Sequence, residues 1–201
     1  MNRSDVEELH YICHVKNLVS ICTNGILSHN EAKKKHPKSV ADPIIQEKRK
    51  GVKVPGIFEE LHNYANLYFN ARNAMMYKIL HLHESLCVIR VSTDVLDEPN
   101  VLITDRNASS KWRRFHEPKW GLAYLEKNLV FAQDWRHEDT YEYWRRKSST
   151  CAEVLVPTMI PIRFFQGIYV SCDETKQKVV DLLNSIHINL PVVVNYGLFF
   201  R

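Results

Sequence analysis

Two side chains stand where the chain has no local need of them. Glu153 opens the run Glu153-Val154-Leu155-Val156-Pro157, whose aliphatic and β-branched residues read as a buried strand. A carboxylate taken out of water is costly unless it is paired, so a buried Glu153 needs a partner or a task. The alternative is an edge-strand glutamate that faces water. Arg72 lies where Tyr64, Leu67, Tyr68 and Phe69, patterned as an aromatic strand, give way to a helical pattern over 74–83 with Met75, Met76, Ile79 and Leu80 inward. A helix N-terminus is itself positive, so a cation at that junction calls for an anion, either a ligand or a surface carboxylate. The segment 134–150, just upstream of Glu153, interleaves Tyr141, Tyr143 and Trp144 with Arg145, Arg146 and Lys147. Rings between cations suit single-stranded nucleic acid, the cations following phosphates and the rings stacking on bases. The same pattern also builds an amphipathic surface helix with half-buried rings.

The elements that must position these residues follow from periodicity. His10-Tyr11-Ile12-Cys13-His14 reads as a short strand feeding a helix whose stripe is Val15, Leu18, Val19 and Cys22, with Gly25 as its C-terminal cap. A strand delivering side chains to a helix N-terminus is a common way to hold a phosphate or ribose. From His29 to Gly56, interruption by Pro37, Pro43, Gly51 and Pro55 predicts a long loop with short helical pieces. Loops of that length inside a domain are functional or disordered. Strands are expected at 86–92 and 100–106 with 94–99 as a connection, and a helix at 121–131. A strand at 162–171, a helix at 173–186 with Asp173 as N-cap and Val179, Leu182, Leu183 and Ile186 inward, and a last strand at 192–200 complete the chain. Strands dominate the second half, so the expected class is mixed α+β and not a doubly wound parallel sheet.

With 201 residues, 45% of them hydrophobic, the chain can bury one sizeable core, a single domain over 1–201. No apolar run reaches membrane-spanning length, and the start lacks the apolar stretch of a secretory signal, which predicts a soluble cytoplasmic protein. Five scattered cysteines without a C-x-x-C pair argue for reduced thiols, and against a zinc site or disulfide frame. His81-x-His83 falls at a helix end, where the two rings diverge, so no metal is expected. The net charge of +4 is uneven: His29 to Lys53 holds seven lysines and one arginine against three carboxylates, leaving the remainder slightly acidic. Such a run is either a solvated loop or a polyanion-binding patch. Signatures of a dinucleotide Rossmann site, a P-loop, a zincin and an α/β-hydrolase elbow are all absent.

Three stretches, HYICHVKNLVSICTNGILS, LHNYANLYFNARNAMMY and QDWRHEDTYEYWRRKSSTCAEVLVP, together resemble the DarT family of bacterial DNA ADP-ribosyltransferase toxins, in matching order and over nearly the whole chain. The family's first block usually reads Y-H-I-T-H, so Tyr11 stands where a histidine is usual and Cys13 where a threonine is usual. Asn17-Leu18 and Gly25-Ile26-Leu27 follow the pattern. Arg72 falls on the family's essential arginine and Glu153 on its catalytic glutamate.

The resemblance implies an ADP-ribosyltransferase fold, a split, mostly antiparallel sheet with NAD as substrate in the cleft between its halves. Tyr11, Cys13, His14, Asn17, Gly25, Leu27, Tyr68, Phe69 and Arg72 would contact NAD. It also implies that 134–150 is a substrate-recognition loop, with Tyr141, Tyr143, Trp144, Arg145, Arg146 and Lys147 on single-stranded DNA, and that a DarG-like macrodomain antitoxin reverses the modification. Glu153 would stabilise the oxocarbenium-like ribose and take the acceptor's proton, while Arg72 held a phosphate. A base in a duplex would first have to be extruded, which favours single strands. The basic loop 29–56 either extends the DNA track or closes over NAD as a lid. Transfer to RNA or protein, and a non-catalytic nucleic-acid-binding domain, are the competing readings. Thymine and guanine remain equal candidates for the acceptor base.

Overall fold

Alternating and continuous apolar runs become strands, and the polar, proline-punctuated stretches between them become short helices. A computed structural model of the chain describes residues 1–56 and 60–201. In order, these form β1 (Leu9–His14), α1 (Leu18–Asn24), β2 (Ile26–Leu27), α2 (His29–Lys33), α3 (Pro43–Lys50), β3 (Tyr64–Tyr68), α4 (Ala74–Lys78), β4 (Leu86–Val91), β5 (Leu102–Thr104) and β6 (Phe115–His116). Then come α5 (Pro118–Gly121), α6 (Lys127–Val130), α7 (Thr140–Ser149), β7 (Glu153–Pro157), β8 (Met159–Ile160), β9 (Phe165–Val170), α8 (Asp173–Ser185) and β10 (Val192–Val194).

Eight strands make one sheet in the order β10-β9-β4-β1-β3-β7-β5-β6, while β2 and β8 pair separately. Among the described strands only β10 and β9 run parallel. Strands β1 and β4 are in register along their whole length, from Leu9↔Val91 to His14↔Leu86. By contrast, β1 and β3 meet at a single pair, His10↔Tyr68. The sheet therefore splits between β1 and β3, and the gap is where a ligand can lie. The fold is the mixed α+β arrangement expected of the sequence.

Strand β7 lies between β3 and β5, not at an edge, with Glu153 opposite Tyr68 on one side and Thr104 on the other. Val154 and Val156 face the main core under α1 and α8, and Leu155 faces a second cluster with Tyr64, Leu61 and Val52. Both faces are covered, which is why the run shows no polar alternation. Gly25 ends α1 at φ +80°, and a Cβ there would sit 2.5 Å from the Ile160 carbonyl oxygen on β8. Only glycine fits both the backbone and that approach.

Several expected boundaries move. The helix expected over 74–83 is five residues of α-helix followed by a 3-10 segment, Leu80–Ser85. Ser171 donates to the His83 carbonyl and bonds the His83 ring, which draws this segment toward the end of β9. The 121–131 helix breaks into α5, a 3-10 turn and α6. Cys172, not Asp173, is the N-cap of α8, and Asp173 sits in the first turn, where its charge still favours the helix dipole. The last strand ends at Val194, because a turn from Asn195 to Leu198 carries the chain off the sheet toward Arg72. The expected loop 134–150 holds the ten-residue helix α7, capped by Asp139, which accepts from the Glu142 amide.

Asn73 holds the junction between β3 and α4. It is fully buried, its Oδ1 accepts from the amides of Met75 and Met76, and its Nδ2 donates to the Asn70 carbonyl. Asn73→Ala strips three bonds from a buried cap, so the expected loss is about 2 kcal/mol of unfolding free energy. Urea denaturation followed by circular dichroism measures it.

Candidate active site

Glu153 is fully buried, and its carboxylate is held from two directions. Arg49 Nη1 donates to Oε1 at 2.9 Å and to Oε2 at 3.0 Å, and the Ala108 amide donates to Oε1 at 2.9 Å. The Glu153 amide in turn donates to Thr104 Oγ1 at 3.2 Å. Arg49 comes from α3, is 5% exposed, and is the partner that a buried carboxylate requires. Only Nη1 is spent on Glu153, and the other guanidinium donors have no partner among the described residues. They remain for an incoming anion or hydroxyl.

The α3 helix is built for this delivery. Asp42 caps it, accepting from the Ile44 amide, and Pro43 occupies its first turn, both standard helix starts. The cap carboxylate also pairs with Lys78 of α4. Farther up the chain, the Asn17 side chain clamps the Lys38 backbone, donating to its carbonyl and accepting from its amide, each at 2.9 Å.

The Arg49–Glu153 pair adjoins a cavity of about 1420 Å³ whose wall includes Arg49, Tyr11, Ile12 and Cys13 of β1, and Tyr64, Asn66 and Tyr68 of β3. It thus occupies the gap where the sheet splits. The volume exceeds the range usual for one small ligand, so there is room for a dinucleotide and part of a second substrate. One rim carries Lys33, Lys35, Lys38 and Lys48. Another carries Lys111, Trp112, Arg113, Trp144 and Lys147. Trp112 is 74% exposed and Trp144 58%, and Lys147 Nζ lies 5.0 Å from the Trp144 ring centroid. Exposed indoles flanked by cations make a stacking surface at the cavity mouth.

Titration follows from burial. The Tyr68 hydroxyl is raised well above its ordinary value by desolvation and then by the Glu153 charge, so it stays a donor. Burial pushes the Cys151 thiol up to about 11. Contact with Cys87, 3.5 Å away, and burial together hold the Cys13 thiol well above the usual range. Neither thiol of this wall is nucleophilic at neutral pH. Burial, Lys16 and Lys38 lower the pKa of His14, whose Nδ1 accepts from the Lys16 amide. Among the described residues, no group of three or more His, Cys, Asp or Glu is placed to hold a metal ion.

Comparison with known proteins gives this geometry a context. Residues 10–200 match the DarT family, described as ssDNA thymidine ADP-ribosyltransferase. The chain belongs to the DarT family. It is 33% identical over 202 aligned positions to a DNA ADP-ribosyl transferase–DNA ADP-ribosyl glycohydrolase fusion protein of Thermosipho africanus, covering 96% of this chain and 49% of that one. The chain thus spans about half the length of that relative. It is 28% identical to a DNA ADP-ribosyl transferase of Thermus sp., covering 87% of this chain and 86% of the relative. Among solved structures it is similar to Thermus sp. 2.9 DarT in complex with ADP-ribosylated ssDNA, with TM-score 0.84, 24% identity and coverage of 98% and 97% of the two chains. It is also similar to Thermosipho africanus DarTG in complex with ADP-ribose, with TM-score 0.80, 32% identity and coverage of 96% and 51%.

Against that DarT framework the expected site residues divide. Tyr11, Cys13, Asn17, Gly25, Leu27 and Tyr68 line the cavity, as do Trp144 and Lys147. Phe69 does not, because it is fully buried in the main core. Nor does His14, which caps the turn after β1. Arg72 is not brought to Glu153: its Nη1 donates to the Phe199 carbonyl at 2.7 Å and its guanidinium lies 3.9 Å from the Phe200 ring centroid. Its anion-like partner is the chain's own carbonyl, which resolves the charge conflict without a ligand. Arg145 and Arg146 are tied to Glu142, and Arg145 also to Glu126. Tyr143 packs edge-on to Trp144, and Tyr141 is exposed away from the cavity wall.

The sequence reading missed Arg49, Trp112 and the Ala108 amide. A trace of Arg49 was legible, since it is the one arginine of the basic run and follows an Asp-Pro helix start. Arg49→Ala leaves Glu153 buried with one donor, so the expected loss is about 3–5 kcal/mol of stability. Glu153→Gln, which keeps the shape and an amide able to bond, should cost clearly less. Paired urea titrations decide between them. Arg72→Ala should lower the melting temperature, since its guanidinium holds the Phe199 carbonyl and the Phe200 ring, neither of which lines the cavity.

Proposed function

We propose that this chain transfers ADP-ribose from NAD to the base of a thymidine in single-stranded DNA, and that it is the toxin of a toxin–antitoxin pair. One observation supports this above the others: a fully buried glutamate is paired with Arg49, which has donors to spare and lines a cavity whose mouth carries exposed tryptophans among cations.

The chemistry follows from these groups. The bond between the ribose C1′ and the nicotinamide nitrogen breaks, its electron pair leaves with neutral nicotinamide, and positive charge builds on the ribose. A fixed carboxylate beside the ribose stabilises that charge as it appears, with no solvent left to reorganise. Thymidine has one ring N–H, at N3. As the N3–C1′ bond forms, that proton must leave, and Glu153 would take it through its place behind Arg49 at the cavity. The guanidinium beside Glu153 belongs to Arg49, so the supporting role expected of Arg72 passes to Arg49. Its unused donors would hold the NAD phosphates or ribose hydroxyls. Tyr11, Cys13, Asn17, Gly25, Leu27 and Tyr68 shape the wall for the rest of the cofactor.

Trp112 and Trp144 would stack the bases around the acceptor, with Lys111, Arg113 and Lys147 following the backbone. The remaining residues of α7, Tyr141, Tyr143, Arg145 and Arg146, support or flank that surface. The glycohydrolase half of the Thermosipho africanus relative supports a macrodomain partner that removes the modification. A cytoplasmic setting supplies both NAD and DNA, and among the described residues no helix is long and apolar enough to cross a membrane.

Incubation with NAD and a thymidine-containing oligonucleotide, followed by digestion and mass spectrometry, should yield thymidine carrying one ADP-ribose. Label confined to guanosine, RNA or protein would overturn the assignment. Glu153→Ala should keep NAD binding and lose transfer. Trp112→Ala and Trp144→Ala should each raise the KM for the oligonucleotide about tenfold or more, leaving that for NAD unchanged. Raising salt from 50 to 200 mM should weaken DNA use steeply.

A further inference from the structure

A second cavity, of about 410 Å³, adjoins the first, and α3 is the partition between them. Pro43, Gln46, Glu47 and Lys50, spaced as one helical face, line the smaller cavity, while Ile45, Lys48 and Arg49 line the larger. The two share His29, Lys33, Gln46 and His62. A partition one helix thick is about 10 Å across.

Two observations mark the smaller cavity as a site. First, the rings of His29 and His62 stack with centroids 4.0 Å apart and planes 23° apart. His62 is buried and His29 is exposed, so the stack ends in an aromatic face on which another ring can lie. Second, His62 is only 8% exposed, yet its Nε2 has no partner. Burial, with the charges of His29 and Arg49, lowers its pKa to about 4. The imidazole is therefore neutral, and its Nε2 is a buried polar atom with no partner among the described residues, one that a ligand in the cavity can supply.

The composition selects the ligand. Lys33 and Lys50 are balanced by Glu47 and Glu60, so the cavity offers no net charge to a phosphate. Stacked rings turned face to face do not converge their nitrogens on one metal ion, and among the described residues no third ligand joins them. What remains is a flat, uncharged ring system with N–H donors at its edge. Glu47 and Glu60 accept, which suits an exocyclic amino group, and thymine carries none.

We propose that this cavity seats the base of a nucleotide flanking the modified thymidine, stacked on His29 and selected for an amino group on its edge. It would make α2, α3 and the Glu60–His62 turn the part of the protein that reads sequence context. The proposal rests on the DNA-transferase reading above and goes beyond it.

The test uses oligonucleotides with a single thymidine, each flanking position in turn carrying adenine, cytosine, guanine, thymine or no base. At one flanking position, wild-type kcat/KM should favour amino-bearing bases over thymine or the abasic site by about tenfold or more. His29→Ala should bring the favoured substrate down to the abasic level, the two being compared within the variant so that any change common to both cancels. Glu47→Gln should narrow the discrimination against thymine while keeping the gain over the abasic site. Both side chains are exposed, and unchanged melting temperatures would verify that the variants fold. Transfer that is indifferent to every flanking base, or a preference that survives His29→Ala, overturns the inference while the transferase reading stands. No transfer to any oligonucleotide overturns both.

Discussion

The architecture depends on one buried ion pair. Glu153 and Arg49 are 104 residues apart in sequence and meet with almost no solvent between them. An ionised carboxylate at full burial is tolerable only when its lone pairs are met, and here Arg49 and the Ala108 amide meet them. Neither partner is near Glu153 in the chain, so the strand cannot reach its final state until α3 and the loop after β5 have docked. A charge placed inside the sheet thereby forces distant segments into one geometry. It also concentrates a strong, preorganised field at the wall of a cavity, which is the condition under which electrostatic catalysis gains most.

The split sheet supplies the other half of that condition. Were β1 and β3 paired along their length, as β1 and β4 are, the side chains of Tyr11, Cys13, Asn66 and Tyr68 would have no gap to face. Divergence after His10↔Tyr68 opens the space, and the covering of β7 on both faces keeps Glu153 rigid beside it. Rigidity and opening sit on adjacent strands. That arrangement sets an open space against a group held by three hydrogen bonds.

Much of this was legible in the residues, and what was not has physical reasons. Glu153 declared itself because a carboxylate at the head of an apolar β-branched run has few explanations, and the class of fold followed from strand-rich periodicity. Arg72 misled because its local argument was sound but incomplete: the anion it needs is the Phe199 carbonyl and its other contact the Phe200 ring, contributed by a segment 127 residues away that periodicity drew as strand. Phe69 misled by adjacency, since successive strand residues face opposite sides and only Tyr68 shares the face of Glu153. Arg49 was hidden among lysines. Composition could weigh the charge of the run but could not say which cation turns inward, because that depends on where α3 is pinned.

The pinning is the reason 28–56 behaves as a structural strap despite its loop-like composition. The segment has little apolar content of its own and is held at points: the Ser28 amide on the Thr158 carbonyl, Lys38 on the Asn17 side chain, Asp42 on Lys78, Arg49 on Glu153, and Val52 and Val54 in the cluster under Leu155. Several of these anchors, Asn17, Arg49 and Val52 among them, also line the main cavity. Closing the strap and assembling the cavity wall are consequently the same event. A basic, proline-broken sequence suits that duty, because a segment with a core of its own would fold independently of the site. This one takes its order from its neighbours, through the Asn17 clamp, the two ion pairs and the burial of Val52 and Val54.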